Sequence, residues 1–86
     1  MNLRPAVAAD LARHGITPEP GDTPATLREK LNERYLEDAR RLRQRQRAGE
    51  IPLPQYAAHA RALQQSYPLL SLPLALWAMD EDPGPS

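Results

Sequence analysis

Residues 23–48, TPATLREKLNERYLEDARRLRQRQRA, decide the fold. Thr23 is a natural N-cap, because its hydroxyl can accept from the backbone N–H groups that a helix start leaves unpaired. Pro24 suits the first turn, where a missing N–H costs nothing, and Gly49 stands where a left-handed residue ends a helix. No Gly or Pro interrupts the stretch between them. The spacing therefore predicts one helix over 24–48, about 37 Å long at the usual rise per residue. Leu27, Leu31, Tyr35, Ala39 and Leu42 recur every three or four positions, which makes a stripe suited to packing on another helix. Leu36 lies off that stripe and is free to touch a second neighbour. Charges pair along the outer faces, Arg34 with Asp38, Glu37 with Arg41 and Lys30 with Glu33, each adding roughly 0.2–0.5 kcal/mol. Toward the end the pattern changes: Arg40, Arg41, Arg43, Arg45 and Arg47 surround a single apolar residue, Leu42.

Residues 49–67 read as the return of a hairpin. The segment 49–53, GEIPL, is short enough to demand an antiparallel neighbour, and Pro52 and Pro54 suit a helix start. Tyr56, Ala60, Leu63 and Tyr67 then give a heptad-like stripe, predicting a third helix over 53–66 that faces the stripe of the long one. Pro68 ends it. Ahead of the long helix, Leu3, Val7 and Leu11 mark a short helix over 3–13 closed by His14 and Gly15. His14 is expected to cap that helix, complementing its dipole. The connector 16–23, ITPEPGDT, is stiff with proline, and Ile16 should tuck back between helices.

The last apolar stretch, 69–79, crowds Leu69, Leu70, Leu72, Leu74, Leu76, Trp77 and Met79 together. With Ser71 as cap and Pro73 in the first turn, it predicts a short fourth helix that lids the hairpin, with Trp77 as anchor. It is too apolar all round for the surface of a monomer. Leu69, Leu70, Leu72, Leu74, Leu76 and Trp77 are thus the expected partner or self-association surface. The fold class expected is all-α: a small bundle on the central helix, forming a single domain over 1–79. Residues 80–86, DEDPGPS, are expected to be a disordered acidic tail.

Composition narrows the function. The 86 residues hold 11 basic and 11 acidic side chains and no cysteine. A chain this short buries a limited core and lacks disulfides, so self-association is the expected aid to stability, with a homodimer favoured. Zero net charge argues against a general polyanion binder, although the layout is dipolar, with arginines at 40–47 and acids at 80–82. The start carries no signal-peptide pattern, and 69–79 is far shorter than the ~20 residues a membrane span needs. A soluble, cytoplasmic protein with no membrane partner is the expectation.

Two local resemblances add to this. Leu42, then Ala48, Gly49, Glu50 and Ile51, then Tyr56 and Leu63 resemble the SHOCT-type short helical hairpin, over about 36–67. That resemblance implies an oligomerisation or interaction module, although prolines here replace the acids or hydroxyls that usually cap its second helix. Leu11, Gly15 and Ile16, Pro20 and Gly21, Thr26, Leu27, Lys30 and Leu31 resemble the helix-extension-helix layout of LEM and SAP-type domains, over about 7–36. This second resemblance implies contact with DNA or with a DNA-bound protein. The nearby Glu19, Asp22, Glu29 and Glu33 oppose a phosphate-facing loop.

Catalytic and cofactor patterns are absent from the sequence. There is no Walker glycine loop, HExxH, CxxC or GxSxG, and each of those chemistries needs its residues at fixed spacing. The carboxylate neighbours Glu33, Glu37 and Asp38 lie on a charged helix face, where nothing buries them enough to tune a general acid or base. His14 and His59 have no ligand-like spacing, and Tyr35 and Tyr56 fall on packing stripes. No catalytic, metal or cofactor residue is therefore assigned. The expected function is a non-catalytic helical module for protein–protein interaction or oligomerisation. The alternative is a nucleic-acid-associated accessory protein using Arg40, Arg41, Arg43, Arg45 and Arg47, which a helix would spread over more than half its circumference, with no aromatics interleaved for stacking.

Overall fold

The computed structural model describes residues 2–79. The expected acidic tail at 80–86 lies outside them. Three α-helices occur in order, α1 (Pro5–Arg13), α2 (Pro24–Arg47) and α3 (Leu53–Gln65), then two 3₁₀ turns at Pro68–Ser71 and Leu74–Leu76. This is a small all-α bundle organised on the long central helix.

Local chemistry sets the helix ends. At the start of α2, Thr23 Oγ1 accepts from the Thr26 N–H at 3.2 Å, and Thr26 Oγ1 accepts from the Thr23 N–H at 2.8 Å. This reciprocal box uses a threonine where glutamate is more usual. Asp22 tightens it, accepting from Thr26 Oγ1, from the Glu19 N–H and from Lys30 Nζ, each at 2.9 Å. α1 and α2 both end in Schellman motifs. Ile16 N–H donates to the Leu11 carbonyl and Glu50 N–H to the Arg45 carbonyl, both at 2.9 Å, around Gly15 at φ +74° and Gly49 at φ +82°. A side chain is strained at that φ, so glycine is what allows each chain reversal.

The core lies at one end of the molecule. Val7 and Leu11 of α1, Leu27 and Leu31 of α2, Tyr67, Leu69 and Trp77 form one buried cluster. Trp77, Leu11, Leu27 and Leu31 are fully buried. Ile16 packs against this cluster with Tyr35, Leu63 and the leucines at 70, 72 and 74. Trp77 also ties the chain ends together. Its indole donates to the Leu72 carbonyl at 3.1 Å, and its own carbonyl accepts from the Arg4 N–H at 3.0 Å. Leu3 and Ala78 pair as an isolated antiparallel bridge beside it.

The fourth helix expected from Ser71 onward is absent, and proline is the reason. Leu72 is extended at ψ 127° and Pro73 at ψ 141°, because the residue before a proline is pushed out of the helical region. Only Leu74–Leu76 then turn before Trp77 enters the core. α3 returns antiparallel along the second half of α2, burying Leu42 and Ile51 between them. The molecule measures 59 × 22 × 16 Å along its principal axes.

Candidate functional site

Three places combine unusual chemistry with access. The first is an open apolar groove of about 400 Å³ between α1 and the C-terminal turns. Ala6 and Val7 form one wall, Pro68, Leu69, Leu72 and Leu76 the other, and Arg4 stands at the rim. Leu76 is 45 % exposed there, a large aliphatic left uncovered. Asp10, on α1, lines the same groove and is only 6 % exposed. It is ion-paired with Arg13 one turn on, yet neither carboxylate oxygen accepts a well-formed hydrogen bond. Arg13 meets Oδ1, so the oxygen left without a donor is Oδ2, and such a buried acceptor is costly, on the order of 1–3 kcal/mol.

This placement divides the six residues expected at a partner surface. Trp77 lies wholly inside the fold, whereas Leu69, only 6 % exposed, shows no more than an edge to the groove wall. Leu72 and Leu76 line the groove. Leu70 and Leu74, half-buried, border a separate depression against Ala25, Arg28, Glu29 and Asn32 of α2. Arg28 secures that side by donating to the Leu70 carbonyl at 3.4 Å. Sequence reasoning missed Asp10. Its signal was available: it sits three residues after Val7 and one before Leu11, on the edge of the apolar stripe.

The second place is the aromatic cluster joining α1, α2 and the end of α3. Tyr67 stacks on His14 with centroids 4.0 Å apart and meets Tyr35 edge-on at 5.3 Å. The Tyr67 hydroxyl donates to Asp38. Burial, reinforced by that carboxylate, pushes the Tyr67 phenol up to about 12. His14 Nε2 lies 2.8 Å from the Ser66 carbonyl, and since a carbonyl only accepts, this nitrogen carries the proton. His14 is the C-cap residue of α1, as its position in sequence implied, while its ring reaches across to the C-terminal end of α3. The Tyr67 hydroxyl and His14 Nε2 are thus both held by structural partners. His59 is exposed on α3, at the edge of a depression it shares with Leu42 and Leu63. Among the described residues no three metal-ligating side chains gather.

The third place is the arginine-rich end of α2. Arg41 pairs with Glu37 and Arg45 with Glu50, each at 3.3 Å. The Arg43 guanidinium lies over the Tyr56 ring, 5.8 Å from its centroid. Arg40 and Arg47 are exposed. Of the five arginines expected as one polyanion contact, two are thus engaged with acids on a different side of the helix. No helix among the described residues is long and apolar enough to cross a membrane.

No protein-family model matches the chain, and no curated protein or solved structure proves similar to it.

Proposed function

We propose that this protein is a non-catalytic helical interaction module that receives an aliphatic side chain of a protein partner in the groove beside α1. The observation that carries the reading is the pairing, in one open groove, of exposed Leu76 with the buried carboxylate of Asp10. Apolar walls with a few placed polar groups are the usual makeup of a specific docking site. The walls dictate the partner's chemistry: a leucine- or isoleucine-like anchor, with an N–H donor beside it for Asp10 Oδ2, the oxygen Arg13 leaves free. The sequence resemblance of residues 36–67 to a SHOCT-type hairpin, which implies an interaction module, points the same way.

Selection of displayed peptides against the full chain tests this. The expected ligands carry an aliphatic anchor, shift the NMR signals of Val7, Asp10, Leu72 and Leu76, and lose binding to L76K. Selected ligands that leave those signals unmoved would remove the reading.

A further inference from the structure

The structure sorts the charges of α2 into those held in an ion pair or hydrogen bond inside the chain and those outside one. Lys30 is taken by Asp22 and not by Glu33. Asp38 accepts from Tyr67, Glu37 pairs with Arg41, and Glu50 pairs with Arg45. What remains on the side of α2 away from Leu31 and Leu42 is a single row: Glu29, Glu33, Leu36, Arg40, Arg43 and Arg47. All six are exposed, and Leu36 is 42 % exposed despite being apolar. Their spacing is four, three, four, three, four, the interval that keeps side chains on one seam between packed helices.

That row is complementary to its own reverse. Its spacing is the same in both directions, with acids at one end and arginines at the other. Two copies laid antiparallel about the level of residue 38 set Glu29 opposite Arg47 and Glu33 opposite Arg43. Leu36 then meets the aliphatic stem of Arg40. Each contact occurs twice, as a two-fold interface requires. These pairs cannot form within one chain. Glu29 and Arg47 are about 27 Å apart along the helix, and Glu33 and Arg43 about 15 Å. Arg43 is already oriented by the Tyr56 ring, which occupies the guanidinium face and leaves its N–H edge for a carboxylate.

We infer that this outer face of α2 is a self-association seam, on which a second copy of the chain docks antiparallel through Glu29–Arg47 and Glu33–Arg43 pairs. The seam shares no residue with the groove beside α1, so it stands or falls independently of the docking role proposed for that groove. Surface ion pairs are individually weak, so the dimer is modest in affinity and loosens with salt.

Sedimentation equilibrium of the full chain across protein and salt concentration is the test, with circular dichroism to confirm folding. The wild type is expected to dimerise. E29R/E33R and R43E/R47E are each expected to weaken the dimer by about tenfold or more. Mixing those two variants should restore a heterodimer, because every seam pair is again opposite in charge. The chain has no cysteine, so E33C/R43C adds a register test: oxidation should link dimers between positions 33 and 43. A wild type that stays monomeric at millimolar concentration overturns the inference, as does a mixture that fails to associate. A dimer that does not cross-link between 33 and 43 overturns the register. If R43E/R47E instead abolishes salt-dependent binding to duplex DNA while mass is unchanged, the row is a polyanion contact and the inference is wrong.

Discussion

The first half of α2 lies against a core closed from the far side by Trp77, whereas its second half lies against α3 alone. Leu27 and Leu31 are wholly buried in the first, while in the second only Leu42 and Ile51 reach burial, with Tyr56, Ala60 and Leu63 half-covered. One uninterrupted helix is thus stabilised in two ways. At the core end, apolar burial dominates, at about 1.5–3 kcal/mol per enclosed leucine. Along the arm, where two helices leave most of each circumference wet, a Schellman stop, i,i+4 pairing and the Arg45–Glu50 contact carry more of the load. The outer face of the helix stays wet along both halves, and the charges outside intrachain ion pairs lie along it, Glu29 and Glu33 beside the core and Arg40 and Arg47 on the arm.

The largest test of this contrast is Trp77→Ala. It should cost about 3–5 kcal/mol, a large share of the stability available to a domain of this size, and urea denaturation followed by circular dichroism would read it. Leu31→Ala and Leu42→Ala form the matched pair. The first should fall high in the range of about 2–5 kcal/mol and the second at its floor; equal losses would break the distinction between core and arm.

Tyr67 sharpens the contrast from the point where the two regions meet. Its pKa rises from 10.0 to about 12 in the folded chain, so the native state holds that proton more tightly than the unfolded state does. The associated stability is present below pH 10 and is lost as pH rises through about 12. The loss should be on the order of 2 kcal/mol. Denaturation midpoints should show this alkaline step, and Tyr67→Phe should abolish it. Gly49→Ala, which forces a side chain to φ +82°, should cost about 1–2 kcal/mol. Hydrogen exchange should place that loss in the arm, with the amides around Leu27 less affected.

The smallest effect is expected at Asp22, outside both regions. The Glu19 N–H, with Lys30 and Thr26, lowers its carboxyl from 3.8 to about 2. Its contribution is present above pH 3.8 and fades as pH falls toward 2. Asp22→Asn should flatten the acid limb of the stability profile over that window while leaving the alkaline step unchanged.

The extent of each helix was legible in sequence because its signals are local. Thr23, Pro24 and Gly49 act within a turn of themselves, and the stripe from Leu27 to Leu42 states which face is covered. The α2–α3 hairpin was implied by the shortness of the connection. What lay beyond reach were choices made between segments far apart in the chain. Asp38 could pair with Arg34 four residues away, and only the fold brought it Tyr67 from 29 residues on. Lys30 had Glu33 beside it and reached Asp22 instead. The apolar run at 69–77 declared that it must be buried, but not where. Pro73 kept it from forming a helix, and the pairing of Trp77 with Arg4 drew part of it inward and left Leu76 at the groove. Local hydrogen bonding and periodicity depend on neighbours in sequence, so the sequence alone determined the helices. Which charges and leucines remain unsatisfied depends on competition among distant partners, and only the tertiary structure decided that.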